Sequence, residues 1–315
     1  TELLDEVVVV GYGTMKKKDL LGATSMVSGD QLATNSSISV GGALQGKMSG
    51  INILSSSGFP GAETSISIRG VGTFGNGDAS PLVVIDGIPV DQGFETLNPS
   101  DIESVNVLKD ASSAAIYGSR GANGVVLITT KRGKEGKVHI DAKVETTYNT
   151  RTYTPELVDG YTYATLMNEA RITRNQIPFY SDEDLHLLAN GLDKDLFPNV
   201  DWMGMLLKKG APTYRATLNI NGGGSLARYY VSASYVKEAG MYNVDEGLKD
   251  YDTNSSYHRW NYRVNVDMDI TKSTLVRVGI AGSLDKMNQP GVGNSVWESV
   301  MGYSPILSLI HISEP

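Results

Sequence analysis

Cysteine is absent from the 315 residues, which removes disulfides, thiolate-bound metals and a cysteine nucleophile while naming no compartment. Histidine is scarce: four residues, none in paired spacing, so a histidine-rich metal site is not expected. Positive charge is in deficit. Lys and Arg total 27 against 35 Asp and Glu, a net charge of -8 with an isoelectric point near 5.1, and a basic patch is the first requirement of a nucleic-acid binder. Long apolar runs are missing too: no segment reaches the ~18 consecutive apolar residues of a membrane-crossing helix, and mean hydropathy is -0.17. A membrane β-barrel stays open, because its strands alternate lipid-facing and lumen-facing side chains and average to modest hydropathy. The chain opens at Thr1 with neither a methionine nor a signal peptide, so a secretory address, if there was one, is missing.

Glycine (35) and tyrosine (16) are plentiful, as in a turn-rich β protein. With 40% hydrophobic residues a core can be buried, and a soluble chain of this length is one or two domains. The organising stretch runs from Ser65 to Gly133. Short β-branched runs (Ile66 to Arg69, Leu82 to Asp86, Ser104 to Leu108, Val125 to Thr130) alternate there with glycine-rich turns, which predicts a small, tightly turned α/β unit. Ser100 and Glu103 have capping-box spacing, Asp110 is placed to cap a short helix from Ala111 to Tyr117, and Gly118 sits where a left-handed stop is wanted. Asp86-Gly87, with Pro89 close behind, predicts a turn. So much glycine implies backbone in close approach, and the unit is expected to be packed inside something. Upstream, a helix is expected from about Ser39, with Val40, Ala43, Leu44 and Met48 on one face and Gly50 as its stop, and Asn52 to Leu54 begins the strands. Gly70-Val71-Gly72 and Gly118-Ser119-Arg120-Gly121 match neither phosphate-binding fingerprint and read as close-packing turns.

From Gly136 the periodicity changes. Val138, Ile140, Ala142, Val144, Thr146 and Tyr148 alternate with polar residues, and the pattern returns at Tyr214 to Ile220, Tyr229 to Tyr235, Trp260 to Ile270 and Val276 to Ile280. That predicts about five strands of roughly ten residues, the length a tilted membrane strand needs. Tight turns at Gly222 to Ser225 and Thr271 to Ser273 alternate with long connections near 150 to 212, 238 to 256 and after 286, as outer-membrane barrels arrange them. Periodicity alone leaves two readings open, since the apolar phase could face lipid or the core of a soluble sandwich. The first long connection is expected to hold helices at Asp159 to Arg174 and from Ser181. Its Tyr161, Tyr163 and Trp202 could stack on a sugar or simply pack within the loop.

The order SIRG, then VVIDGIP, then LNPSDIESVNVLKDASSAAIYGSRGANGVVLITTKRG resembles the plug domain of TonB-dependent outer-membrane transporters, in wording the SusC/RagA-like branch, which imports glycans or peptides. The likeness covers roughly Asp5 to Ile306, the later part in pattern more than wording. It implies an α+β plug followed by antiparallel transmembrane β-barrel strands, an incomplete part of a barrel of roughly 22 strands. The divisions it implies are a TonB box and linker over 1–18, a plug over 19–135 and the N-terminal part of the barrel over 136–306. The tail 307–315 drops the pattern and reads as non-native. Leu4 to Gly13 is by itself an edge or buried strand; the resemblance makes Asp5, Glu6, Val7, Val8, Val9 and Val10 the segment that TonB captures by strand addition. Charged residues in the plug motifs could pair with one another, cap turns or serve chemistry. The resemblance adds a latch to the barrel wall, carried by Arg69, Gly70, Asp86, Gly87, Glu103, Lys109, Asp110, Tyr117, Gly118, Arg120, Gly121, Gly124 and Arg132. No nucleophile, base and orienting group assemble, so no enzyme, cofactor or metal is expected. Implied partners are TonB, a SusD-like surface lipoprotein, a glycan or peptide cargo and outer-membrane lipid, with the N-terminus periplasmic. A signalling receptor and a secreted β-rich adhesion module are the alternatives.

Overall fold

The computed structural model describes residues 7–10, 13–16, 24–55, 57–68, 70, 80–90, 94–110, 114–244, 252–291 and 295–307. Contacts divide the chain into one unit of residues 1–147, 212–238 and 256–287, and a second of 148–211, 239–255 and 288–315.

In the first unit the β-branched runs form a five-stranded sheet in the order β3 (Thr24–Ser28), β8 (Ile102–Leu108), β9 (Val125–Thr130), β6 (Leu82–Ile85) and β7 (Ile88–Val90). β9 runs antiparallel to β8 and parallel to β6. The central strands are apolar on both faces because both are covered. Val105, Val107, Val126 and Ile128 meet one layer containing Leu32 of α1 (Gly29–Ala33), Val40 and Leu44 of α2 (Val40–Leu44), and Ile53 and Ile66 of the paired strands β4 (Ile51–Ser55) and β5 (Thr64–Ile68). Leu82, Val84, Leu108, Val125 and Leu127 meet Ala114 and Tyr117 on the other side. Asp86 (φ 49°) and Gly87 (φ 87°) close a two-residue hairpin between β6 and β7. Both take left-handed φ, the reason an Asp-Gly pair is favoured there, and Pro89 is tolerated because β7 is an edge strand.

Two local expectations need correction, and a third is partly visible. Ser100 and Glu103 form no capping box. Asn98 caps a single 3-10 turn, Pro99–Asp101, accepting from Ser100 N at 3.1 Å, and Glu103 already lies in β8, where the β-branched run takes over. The start of the helix expected from Ala111 lies outside the described residues; Asp110 O accepts from Ala114 N at 3.0 Å, the bond expected of a residue that opens a helix, and a 3-10 segment follows over Ala115–Gly121. Gly118 has the positive φ expected (61°) and, with ψ -145°, leaves helical geometry between two short helical turns, so the first stops there after Tyr117. Finally, α2 starts at the Ser39 cap but stops at Leu44, because Gln45 leaves helical geometry. Met48 is still buried with Val40, Ala43 and Leu44.

The same unit holds most of a second sheet, β10 (Gly136–Thr150), β11 (Gly210–Gly223), β12 (Ala227–Ala239), β13 (Ser256–Thr271) and β14 (Thr274–Asn288), each beside its sequence neighbour. At 13 to 16 residues the strands exceed the ten expected. Their burial is inverted relative to a soluble sheet. On β11 to β13 the polar phase is buried, including Arg215, Thr217, Ser232, Ser234, Arg259, Arg263, Asn265 and Asp267, whereas Tyr214, Leu218, Trp260, Tyr262 and Ile270 of the apolar phase are exposed. A sandwich core would bury the opposite phase.

The second unit is largely helical. Asp159 caps Gly160–Ile172 by accepting from Thr162 N at 2.7 Å. Ser181 and Asp184 form a full capping box on Asp182–Asn190, closed by left-handed Gly191. The short helix Trp202–Leu206 was not expected from the sequence. Trp202 is buried, its Nε1 donating to Ser304 O at 3.0 Å beside the Tyr303 ring. Of the two readings of Trp202, packing is therefore the observed one.

Candidate functional site

The buried polar phase of β11 to β13 meets the α/β body of the first unit through its loops. Loops expose carbonyls that the body's own sheet leaves unpaired, and such groups need donors. The strands supply them. Arg215 donates from Nη1 to Ser37 O (3.2 Å) and from Nη2 to Asn35 O (3.3 Å). Arg259 donates to Glu95 O (2.9 Å) and Ile38 O, and Asn261 to Thr96 O. Asn265 Nδ2 donates to Thr130 Oγ1 (3.0 Å) and Lys131 O (2.7 Å). In the other direction Glu238 Oε2 accepts from Gly61 N at 3.0 Å. Gly61 (φ +74°) must be glycine, since a Cβ there would fall 2.4 Å from the Tyr257 ring.

Charges sit at the centre of this seam. Arg263 stands between two carboxylates of the body, Nη1 at 3.9 Å from Asp86 Oδ2 and Nε at 3.8 Å from Asp101 Oδ2. Nε makes no hydrogen bond, so the guanidinium acts through charge and not through an aligned fork. Asp101 is held instead by the Tyr230 hydroxyl, which donates to Oδ1 at 2.9 Å. Asp86 is anchored from the body's side by Thr130 N at 2.9 Å and by the Thr130 hydroxyl. Arg132 pairs with Asp267 nearby. Burial pushes the Asp101 carboxyl above the usual carboxylate range, outweighing the Ser232 and Tyr230 hydrogen bonds and the Arg263 charge; burial does the same to Glu95. Asp86, Asp101 and Arg263 line a cavity of about 750 Å³, which leaves the charged groups room to separate.

The nature of the seam sets what it can do. Direct hydrogen bonds contribute only about 0.5 to 1.5 kcal/mol net each, and roughly 1.5 to 3 with a charged partner, because water can replace either side. A body held by such bonds is fixed in register, and each bond it loses can be replaced by one to water.

Of the residues singled out in the sequence, Asp86 and Arg132 lie in this seam. Glu103 is exposed, 3.9 Å from Lys134, and Lys109 donates to Ser25 and Ser49 within the body. Tyr117 packs on the second core layer and Arg120 is exposed on the kinked helix. Gly121 and Gly124 are close-approach glycines, a Cβ meeting Ala114 O at 2.8 Å and the Ile68 side chain at 2.7 Å respectively. Gly70 has φ +83°, with no atom of the described residues within 4 Å of a Cβ placed there, and Gly87 and Gly118 shape turns. Asp5, Glu6 and Arg69 lie outside the described residues. Val7–Val10 (β1) pairs antiparallel with Gly13–Lys16 (β2) in a two-stranded sheet of its own, the kind of ribbon that is marginal alone. Sequence reasoning missed Arg215, Tyr230, Arg259, Arg263, Asn265, Asp267, Glu95 and Asp101. One signal was available for part of the set: Arg259, Asn261, Arg263, Asn265 and Asp267 occupy every second position of β13.

Residues 16–125 match the family model described as TonB-dependent Receptor Plug Domain. The chain is 36% identical over 303 residues to TonB-dependent receptor P26 of Formosa agariphila, covering 93% of this chain and 28% of that protein. It is 35% identical over 253 residues to TonB-dependent receptor SusC of Bacteroides thetaiotaomicron, covering 76% and 23%. The RagAB peptide importer in its open-open state superposes with a TM-score of 0.75 at 27% identity, over 91% of this chain and 33% of that one. The siderophore receptor PirA of Acinetobacter baumannii, at 16% identity and a TM-score of 0.53, shares the fold. The chain thus spans about a quarter of the length of the curated relatives it matches. With a plug-domain match, these relatives and strands that clasp the plug by their polar phase, the chain belongs to the SusC/RagA-like TonB-dependent receptors, of which it carries the plug and part of the antiparallel barrel.

Proposed function

We propose that this chain serves TonB-dependent active import of a large nutrient, a glycan oligosaccharide or a peptide, across the outer membrane. The observation that supports this best is the inverted burial of β11 to β13: an apolar phase turned outward and an arginine- and amide-rich phase turned onto the plug. The seam residues Asp86 and Arg132, with Asp101, Arg263 and Asp267, are the latch that holds the plug at rest. Segment Asp5 to Val10 is the handle. A two-stranded ribbon of Val7–Val10 and Gly13–Lys16 gives up few contacts when another chain takes the place of one strand. TonB in the periplasm then pulls, and the polar seam yields to water. A SusD-like lipoprotein at the outer face completes the importer, as the SusC/RagA-like family implies. No bond is made or broken in the cargo.

Deleting Val7 to Val10 from the full-length receptor is expected to reduce uptake of its nutrient to the level of cells lacking TonB. Membrane insertion and surface binding of the nutrient should persist. Uptake at the wild-type rate in the deletion strain would overturn the proposal.

A further inference from the structure

The outward phase of the five long strands is almost free of charge. From β10 to β14 it contains three Lys, Arg, His, Asp or Glu residues: Lys237, His258 and Lys286. They come from three adjacent strands, and each lies two residues from its strand end, on the side of the long connections. Register places them in one row. Asp269 N donates to Leu226 O, which by counting along the antiparallel pair sets Lys237 opposite His258. The Tyr262 ring lies over Gly282, where a Cβ would fall 2.7 Å from its hydroxyl, and four residues on in each strand His258 meets Lys286. Both ammonium groups are within electrostatic reach of the imidazole. With neighbouring strands about 4.8 Å apart, the two lysines flank His258 across roughly 10 Å.

The row sits on an aromatic shelf. Trp260 stacks on His258 at 14° between planes, and the Tyr235 ring lies 5.2 Å from Trp260. The Tyr235 hydroxyl bonds His258 Nδ1 at 2.9 Å, which fixes the ring and leaves Nε2 as its remaining hydrogen-bonding atom. Below it the outward phase is apolar, through Tyr262, Val264 and Ile280. Amphipathic aromatics backed by apolar residues mark a bilayer interface, and cations at that level attract lipid phosphate.

We propose that Lys237, His258 and Lys286 form a binding site for the phosphate headgroup of an anionic membrane lipid, the acyl chains lying along the apolar strands beneath. The inference rests on the barrel reading above and adds a ligand to its outer wall. No acidic residue on the outward phase opposes it, and the row engages a phosphate from both sides.

The test uses the full-length receptor purified in detergent and native mass spectrometry with monophosphoryl lipid A. Wild type is expected to retain the lipid, and the double variant Lys237→Gln/Lys286→Gln to bind it on the order of 30-fold more weakly, each lysine at a membrane surface accounting for roughly a five-fold factor. Lys237→Arg/Lys286→Arg should restore retention, the dephosphorylated lipid should bind wild type as weakly as phosphorylated lipid binds the Gln variant, and excess inorganic phosphate should leave the lipid in place. Equal binding by wild type and the Gln variant, or by lipids with and without phosphate, overturns the site. Outer-membrane fractionation and heat-modifiable migration of the same preparations separate the two levels. A protein that behaves as a barrel yet holds no lipid refutes this site alone, whereas one that fails both refutes the barrel reading as well.

Discussion

Replacing Arg263 by alanine is expected to loosen the plug by about 3 to 5 kcal/mol, the usual consequence of leaving a buried charge without its partner. Among the described residues Arg263 is the cation that pairs with both Asp86 and Asp101, at 3.9 and 3.8 Å, and its side chain is 7% exposed. Asp101 is 2% exposed, so the charge is lost from a deeply buried carboxylate, which keeps its Tyr230 hydrogen bond. These 315 residues contain no cysteine, so the plug carries no competing thiol: a reporter thiol at buried Ala43 reacts only when the plug opens, and the urea midpoint of its labelling reads the change. The penalty should depend on pH with a defined sign. The folded-state pKa of Asp101 is already raised by burial, and removing the guanidinium raises it further. A raised carboxyl pKa means that the folded state takes up the proton more readily than the unfolded chain. The penalty is therefore fully present above the variant's folded pKa and relieved as pH falls from there to the lower folded pKa of the wild type. A midpoint that moves by less than the equivalent of about 0.5 kcal/mol at neutral pH, the scale of an ordinary surface change, would show that Arg263 does not hold the plug.

Gly29→Ala should be at least as damaging, for a steric reason. Gly29 opens α1, and a Cβ on it would lie 1.8 Å from the Ile102 carbonyl oxygen, 2.8 Å from its carbon and 3.1 Å from Glu103 O. All three are backbone atoms of the strand at the centre of the core, so no rotamer change relieves the overlap. Helix and sheet must move apart, and the layer containing Leu32, Ile102 and Val105, all fully buried, loses its packing. Overpacking costs typically about 1 to 3 kcal/mol where side chains can give; with only backbone to give, more is expected. Thiol labelling at Ala43 in the absence of urea is the readout. A variant that protects this thiol as wild type does would mean that α1 is not packed as described.

What could be read from the residues divides along a physical line. Strands β6, β8 and β9 were legible because β-branched runs between glycines have one dominant solution, and the long strands were legible from a period of two. Which phase faced inward was not. Trp260 and Arg259 alternate identically whether lipid or a protein core lies outside, and the decision rests on contacts with residues more than a hundred positions away. The same limit hid the partners of the plug charges. Asp86 could be singled out as a plug charge, but nothing local indicates that Arg263 faces it, or that Asp101 is the more deeply buried of the two carboxylates. The local errors have local causes: Glu103 was claimed for a helix cap although the run Ile102–Leu108 has stronger strand character, and the end of α2 was placed too late because Met48 continues its apolar face after the helix has ended.

Spin labels on single cysteines along β13 test the central claim most directly, because the claim is that this strand turns its apolar phase to lipid and its polar phase to the plug. In the full-length receptor reconstituted into bilayers, labels at Val264, Val266 and Met268 should be accessible to oxygen and shielded from a water-soluble nickel chelate. Labels at Arg263, Asn265 and Asp267 should be immobilised and shielded from oxygen. A two-residue alternation of that phase is the predicted result. Alternation in the opposite phase, or access of the nickel chelate to Val264, Val266 and Met268, would contradict the account.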